Sequence, residues 1–443
     1  MTLLLEMLGW LIFLLGVGIS IGLHEVGHLL PAKKFGVKVT QYMVGFGPTA
    51  WSRARGETEY GVKWIPLGGY IRMVGMYPPA PGADPTMLRA SSTGRFATLI
   101  DDARRQAFEE ITPADVDRVF YKLPVRKRIV IMLGGPAMNL VLAFVLFTIV
   151  LSVIGTPQVT NTIGRVVACA PTATNLAGSA SADGTCAAST PTPASVGGVL
   201  VGDTIVRFDG QDISSWDEVQ AAIAAAVPGP VAIVVDRGGV QETLTVPLAR
   251  VDIPVTDDQG QLTGVTAARN FLGVSPAFAR QAQSVAVVPG YIWDTSVHAV
   301  ATIATLPMRV VDLVRQVVTD EPRDPNGIVG PVGVGRITGE VVALADTPVL
   351  DKAAFVLGLL AGLNLFLFLF NLVPLLPLDG GHVAGAIWES IKRGWARLRS
   401  RPDPGPVDTA KALPLTYAMS IALVLVGGIV LIADLVDPLR LGG

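Results

Sequence analysis

The sequence predicts a polytopic α-helical membrane protein of about four transmembrane helices, with cytoplasmic β-hairpins and an extracytoplasmic α+β module. Three observations predict it. Half of the 443 residues are apolar and only 16% are charged, with a mean hydropathy of +0.51, a composition that excludes an ordinary soluble multidomain protein. Four stretches, Leu3 to Leu23, Ile129 to Ile154, Ala354 to Leu376 and Leu413 to Leu435, are long enough to cross a bilayer. About 20 apolar residues rising roughly 1.5 Å each cover a hydrocarbon core of about 30 Å. Basic residues crowd the segment from Lys33 to Arg128 and the loop from Lys392 to Lys411, whereas Gly155 to Pro348 is basic-poor for its length. The positive-inside tendency places the two crowded segments in the cytoplasm and the long middle segment outside, together with both termini.

The first stretch has no basic n-region and no small-residue cleavage site before His24-Glu25, so it is read as a retained helix rather than a signal peptide. Phe35 to Met76 alternates apolar and polar residues, punctuated by Gly45-Phe46-Gly47-Pro48 and Pro66-Leu67-Gly68-Gly69-Tyr70, which reads as β-hairpins. Tyr77 to Asp115 is polar and Pro-rich at its start and reads as a loop. Lys122 to Arg128 forms a basic collar before the second helix.

Outside, Ser195 to Arg250 reads as a compact α+β module. Gly202-Asp203 opens a strand that turns at Asp209-Gly210, Ser215 and Glu218 form a capping box for a helix through Ala226, and Pro228-Gly229-Pro230 stops it. Val231 to Asp236 and Glu242 to Leu248 follow as a hairpin around Gly238-Gly239. Val285 to Pro307 is apolar but interrupted by Pro289, Gly290, Asp294 and His298, and is read as a surface or interfacial helix. The two cysteines, Cys169 and Cys186, both fall in the outside segment, where they form either a disulfide or two buried thiols.

The chemistry concentrates at two places. His24-Glu25-Val26-Gly27-His28 sets two imidazoles at i and i+4 on one helical face, close enough to share a metal, with Glu25 placed to take a proton from water. These polar residues end a membrane-spanning helix, where ionisable groups are costly unless they pair or bind an ion. A catalytic zinc needs a third protein ligand and an open position. The candidate is Asp379, directly after the third helix, in the run Asn371-Leu372-Val373-Pro374-Leu375-Leu376-Pro377-Leu378-Asp379-Gly380-Gly381-His382. Helices one and three both run inward, so His24 and Asp379 arrive at a similar depth. Pro374 and Pro377 break the helix there. His382 is a tempting fourth ligand, but filling the last position with protein would close a catalytic site.

These residues resemble the site-2 protease family of intramembrane zinc metalloproteases, in particular its bacterial, PDZ-bearing branch. The resemblance rests on the HExxH pentad, on Asn371, Pro374, Leu378, Asp379 and Gly380, on Gly134-Gly135-Pro136-Ala137-Met138-Asn139, and on a module like a PDZ domain at Gly198 to Leu248. It departs where Leu375 and Leu376 both separate Pro374 from Pro377. The resemblance implies that His24, His28 and Asp379 bind Zn2+, that Glu25 is the base and that Asn371 contacts substrate or the oxyanion. It implies an order of transmembrane helix 1 over 1–31, a membrane-associated β-hairpin region over 32–76, a cytoplasmic loop over 77–128 and helix 2 over 129–154. A PDZ-like domain over 160–275, an amphipathic linker over 276–352, helix 3 over 353–384, a basic loop over 385–411 and helix 4 over 412–437 complete it.

The implied substrates are transmembrane segments of single-pass proteins, such as anti-sigma factors already trimmed outside by a site-1 protease. The implied location is a bacterial cytoplasmic membrane, with the lipid bilayer as partner and no nucleic acid. Two other classes compete: a non-proteolytic zinc-handling membrane protein, in which Glu25 is expendable, and a PDZ-type membrane scaffold, in which the His24 to His28 pentad is accidental.

Overall fold

The computed structural model describes residues 2–76, 78, 115–172, 186, 190–256, 262–319, 323–324, 327–345 and 347–438. Of the loop expected over residues 77–115, only residues 78 and 115 are among them. Two compact units divide the chain, one built from Met1–Ile154 and Ser284–Gly443, the other from Gly155–Gln283.

The first unit begins with α1, Thr2–Lys34. Lys33 and Lys34 in its last turn face the negative end of the helix dipole. The chain leaves the helix through Gly36 at φ +82°, where Gly36 N–H donates to Lys33 O and Val37 N–H to Ala32 O. That pair of bonds satisfies carbonyls a helix end would otherwise leave bare, and glycine takes the left-handed turn at no steric cost.

Two long strands follow, β1 (Val39–Arg55) and β2 (Thr58–Met73). The register runs Ser52 to Gly61, Gly61 to Met43 and Met43 to Tyr70, so two strands fold into four rows. The bend falls at Gly45 and Gly47, at φ +95° and +82°. Among the described residues, Gly69 to Ile71 lies in the outermost row of this sheet, paired with β1 and next to α1. Hydrogen bonds from Lys38 N–H to Arg118 O and from Phe120 N–H to Val74 O, with a bidentate Arg118–Glu57 pair, tie residues 115–122 to this sheet. The next helix, α2, spans Val125–Thr148 and runs on as a π-helical segment to Ile154. It starts ahead of the apolar run, so part of the basic collar is helical.

The second unit is a seven-stranded antiparallel sheet. Its strands are β3 (Thr156–Val166), β4 (Thr204–Phe208), β5 (Gln211–Asp212), β6 (Gly229–Arg237), β7 (Val240–Thr256), β8 (Leu262–Phe271) and β9 (Val274–Gln281). The order is β8-β7-β6-β4-β3-β9, with β5 on β4. Two helices accompany it, the single turn α3 (Pro193–Val196) and α4 (Trp216–Ala225). The capping box of α4 is present, Ser215 Oγ accepting Glu218 N–H while Glu218 accepts Ser215 N–H. Ile205, Phe208, Val219, Ile233, Val235 and Val246 form the core. Strands β3, β8 and β9 add to the elements expected from sequence, and β9 runs past the domain end expected at 275. Cys169 and Cys186 are joined in a disulfide, Cα atoms 5.6 Å apart.

Back in the first unit come α5 (Val288–Thr319), α6 (Pro331–Ala343), α7 (Val349–Asn371), α8 (Asp379–Leu398) and α9 (Leu413–Val436). Two expectations are corrected here. Five helices among the described residues, not four, are long and apolar enough to cross a membrane, the additional one covering Val285–Gln316. Pro289 and Gly290 fall in the first turn of α5, where a missing N–H costs nothing, and a lone Asp294 does not break a helix. Residues 385–411 are not simply a loop either, because α8 runs to Leu398. Its basic residues suit a helix as well as a loop.

Candidate metal centre

Small residues set the site by letting α1 and α2 touch. A Cβ on Gly27 would stand 2.2 Å from Gly134 O, and one on Gly134 2.0 Å from Gly27 O, so only glycine permits this crossing. The crossing brings the second half of α1 under the face of α2 that carries Gly135 and Asn139. Helix α7 joins α1 through Asn364, whose Nδ2 donates to Ser20 Oγ at 2.9 Å and to Leu360 O at 2.8 Å. Asn364 is thus an interhelical tie.

After α7 ends at Asn371 the chain turns through Leu372 to Leu378, with a cis Leu376–Pro377 peptide, and Asp379 becomes the first residue of α8. Gly380 and Gly381 press against the carbonyls and backbone of Leu372 to Leu376, which holds the turn close.

The result gathers His24, His28 and Asp379, whose ligand atoms lie within 4.8 Å of one another. Nε2 of His24 is 3.2 Å from Nε2 of His28, and Oδ2 of Asp379 is 3.4 Å from the former and 3.3 Å from the latter. Tetrahedral coordination at about 2.0–2.1 Å sets neighbouring donors about 3.3–3.4 Å apart, so the spacing fits zinc. Oδ2 of Asp379 is buried and has no hydrogen-bond partner. A buried carboxylate oxygen facing two imidazole nitrogens without a hydrogen bond is the arrangement a cation requires.

The far side of each ring supports the same conclusion. His28 Nδ1 sits 2.7 Å from Ile131 O, so it donates there and leaves Nε2 with its lone pair. The Asn139 amide lies 3.1 Å from His24 Nδ1, while Asn139 Oδ1 has no partner. A half-turn of a carboxamide exchanges oxygen and nitrogen. With Oδ1 toward the ring, Asn139 accepts Nδ1–H and frees Nε2 of His24 for a metal.

Glu25 is buried beside the cluster, its Cγ where a Cβ on Gly69 would come within 3.0 Å. A cavity of about 410 Å³ holds these groups, lined also by Gly68, Tyr70, Ile71, Asn371 and His382. The edge row of β2 therefore borders the cavity. His382 lines it without joining the converging ligand atoms. From sequence, Asn139 reads as a polar residue that either bonds between helices or contacts substrate, and Gly135 and Gly69 carry no role of their own; the Gly134-Gly135 pair inside an apolar helix is the signal of a close approach.

A bundle of apolar helices carrying a His, His and carboxylate cluster with a neighbouring buried glutamate defines the class of membrane-embedded metallohydrolases. Residues 12–401 match the profile of Peptidase family M50. The chain is 34% identical over 98% of both sequences to the zinc metalloprotease Rip1 of Mycobacterium bovis. It is 28% identical over 88% of both to the metalloprotease MmpA of Caulobacter vibrioides, and 23% identical over 86% of this chain and 90% of the relative to the zinc metalloprotease RasP of Oceanobacillus iheyensis. The chain belongs to peptidase family M50, the site-2 protease family, and is a zinc metalloprotease of the membrane.

Proposed function

We propose that the chain cleaves transmembrane segments of single-pass membrane proteins, with His24, His28 and Asp379 holding the zinc and Glu25 acting as the base. The observation that carries this reading is the convergence of three ligand atoms, from buried His28 and half-buried His24 and Asp379, beside a buried glutamate. Zinc, when bound, supplies Lewis acidity toward a peptide carbonyl and toward water. Glu25 takes a proton from the attacking water and passes it to the leaving amine. Asn371, at the cavity wall, donates to the oxyanion through its amide.

A substrate helix hides its carbonyls in i to i−4 bonds and must be extended first. The edge row of β2 borders the cavity at Gly69, Tyr70 and Ile71 beside Glu25, and strand addition there holds an unwound segment across the cavity.

The second unit is a PDZ-like domain in this reading, and it receives the trimmed end of a substrate. A cavity between α4 and the turn Phe271 to Val274, flanked by Arg250 and Arg269, supports that role. The substrate class is a single-pass protein such as an anti-sigma factor, cut first by a site-1 protease. The enzyme sits in a bacterial cytoplasmic membrane with this domain outside.

The test compares wild type with Glu25→Gln in proteoliposomes holding a panel of single-pass proteins. Wild type releases fragments cut within the membrane span; Glu25→Gln, which retains zinc, releases none. Equal fragment release by the two proteins refutes the reading.

A further inference from the structure

Helix α8 carries a face that nothing among the described residues of the first unit covers. Ile387, Trp388, Ile391, Trp395 and Leu398 are all exposed, Trp388 at 56% and Leu398 at 84%. At about 100° of turn per residue they fall within an arc of about 100°. The opposite face is engaged: Glu389 and Ala386 are buried, and Glu389 pairs with Arg128 of α2. The apolar arc is therefore a stripe on a docked helix.

Its borders are basic. Lys392 flanks the stripe on one side and Arg397 on the other, and Arg399 stacks its guanidinium over Trp395 at 4.5 Å. The two acids of the helix are withdrawn from the stripe, Asp379 into the cluster and Glu389 into its ion pairs. The chain also restricts where α8 can lie. Helix α7 ends at Asn371 and α9 begins at Leu413, both long and apolar enough to span a membrane, so α8 joins two spans near one bilayer surface. Tryptophan and basic side chains beside an aliphatic stripe are the composition of a helix lying in the headgroup region.

We propose that α8 lies along the bilayer surface, with Ile387, Trp388, Ile391, Trp395 and Leu398 in the acyl boundary and Lys392, Arg397 and Arg399 on anionic phospholipid headgroups. Charge selects the anionic lipid: the charges that border the stripe on α8 are Lys392, Arg397 and Arg399, and each basic residue near such a surface adds to attraction. Since α8 starts at Asp379, the bilayer that holds the stripe also holds the helix whose first residue faces the two histidines.

The experiment uses the full chain in lipid nanodiscs. Cys169 and Cys186 are bonded to each other, so a single cysteine at Ile391 takes an environment-sensitive fluorophore selectively, and one at the exposed Ser390, about 100° away, serves as reference. A nitroxide near the headgroup end of an acyl chain quenches the label at Ile391 at least about twofold more than at Ser390, and aqueous iodide shows the reverse order. Phosphatidylglycerol strengthens quenching at Ile391 relative to phosphatidylcholine, and Lys392→Gln with Arg397→Gln abolishes that gain. An Ile391 label open to iodide and untouched by the nitroxide overturns the proposal and leaves the stripe to a protein partner. Equal quenching in the two lipids, unchanged by the charge variants, overturns its anionic part.

Discussion

A Cβ on Gly135 would stand 2.2 Å from Nε2 of His28 and 2.7 Å from Nε2 of His24, so α2 meets the two imidazoles with bare backbone. Gly135→Ala must push at least one ring aside. A displacement near 1 Å at a reacting centre costs on the order of 10²-fold in rate. The variant is expected to lose bound zinc and proteolysis together while keeping its helical circular dichroism. Zinc analysis of the purified protein checks this; a fully loaded, active Gly135→Ala refutes it.

The candidate ligands His24, His28 and Asp379 can be picked out of the sequence because HExxH has a helical period and because Asp379 directly follows an apolar span. What α2 contributes was not readable, since Gly135, Asn139 and Ile131 O act through a crossing of two helices that no local pattern encodes. The β region was legible as strands from its alternation, but Gly45 and Gly47 fold β1 so that Met43 pairs with both Gly61 and Tyr70, and this doubling is a tertiary event. Helix α5 reads from sequence as a surface or interfacial helix and not as a span because Pro289, Gly290, Asp294 and His298 interrupt the apolar run, whereas Pro289 and Gly290 sit in its first turn. Helix α8 hid behind its basic residues, which read as a solvated loop.

Asn139 is expected to set the tautomer of His24. Asn139→Leu leaves Nδ1 without a partner and is expected to weaken zinc binding by about 10–100-fold, the usual cost of losing such an orienting bond. Asn139→Asp keeps an acceptor in the same place and is expected to retain most of the affinity. Competition with a fluorescent zinc chelator measures both. Equal affinities for the Leu and Asp variants would show that the amide packs without directing the ring.

The Arg128–Glu389 ion pair lies almost wholly out of solvent, and Glu389 also accepts from Arg393 and from Val407 N–H. Removing one partner strands a buried charge, which typically costs about 3–5 kcal/mol, whereas replacing both with apolar groups is often neutral. Glu389→Leu is therefore expected to lower the thermal midpoint in detergent markedly, and adding Arg128→Met to recover much of the loss. A double variant no more stable than Glu389→Leu alone would mean that the bond from Val407 N–H, which ties the segment after α8 back to the helix, and not the pair with Arg128, accounts for the loss.

In the second unit Asp203 accepts from Arg237 at 2.8 and 2.7 Å and from Leu200 N–H at 2.8 Å, with its side chain 1% exposed. The Arg237 guanidinium holds its carboxyl below the usual carboxylate range, against the opposing effect of burial. An unfolded Asp titrates near pH 3.9, so the folded group binds its proton less readily than the unfolded one. The stability this contributes is fully present above about pH 5 and is lost as pH falls through the depressed folded value. Amide protection in β4 and β6 is therefore expected to fall by up to about tenfold per pH unit below pH 4, once exchange is corrected for its intrinsic pH dependence. Asp203→Asn removes the titrating group. It is expected to show lower protection at neutral pH and a flatter acid limb, measured by hydrogen exchange; an acid limb as steep as that of wild type would assign the loss to other carboxylates.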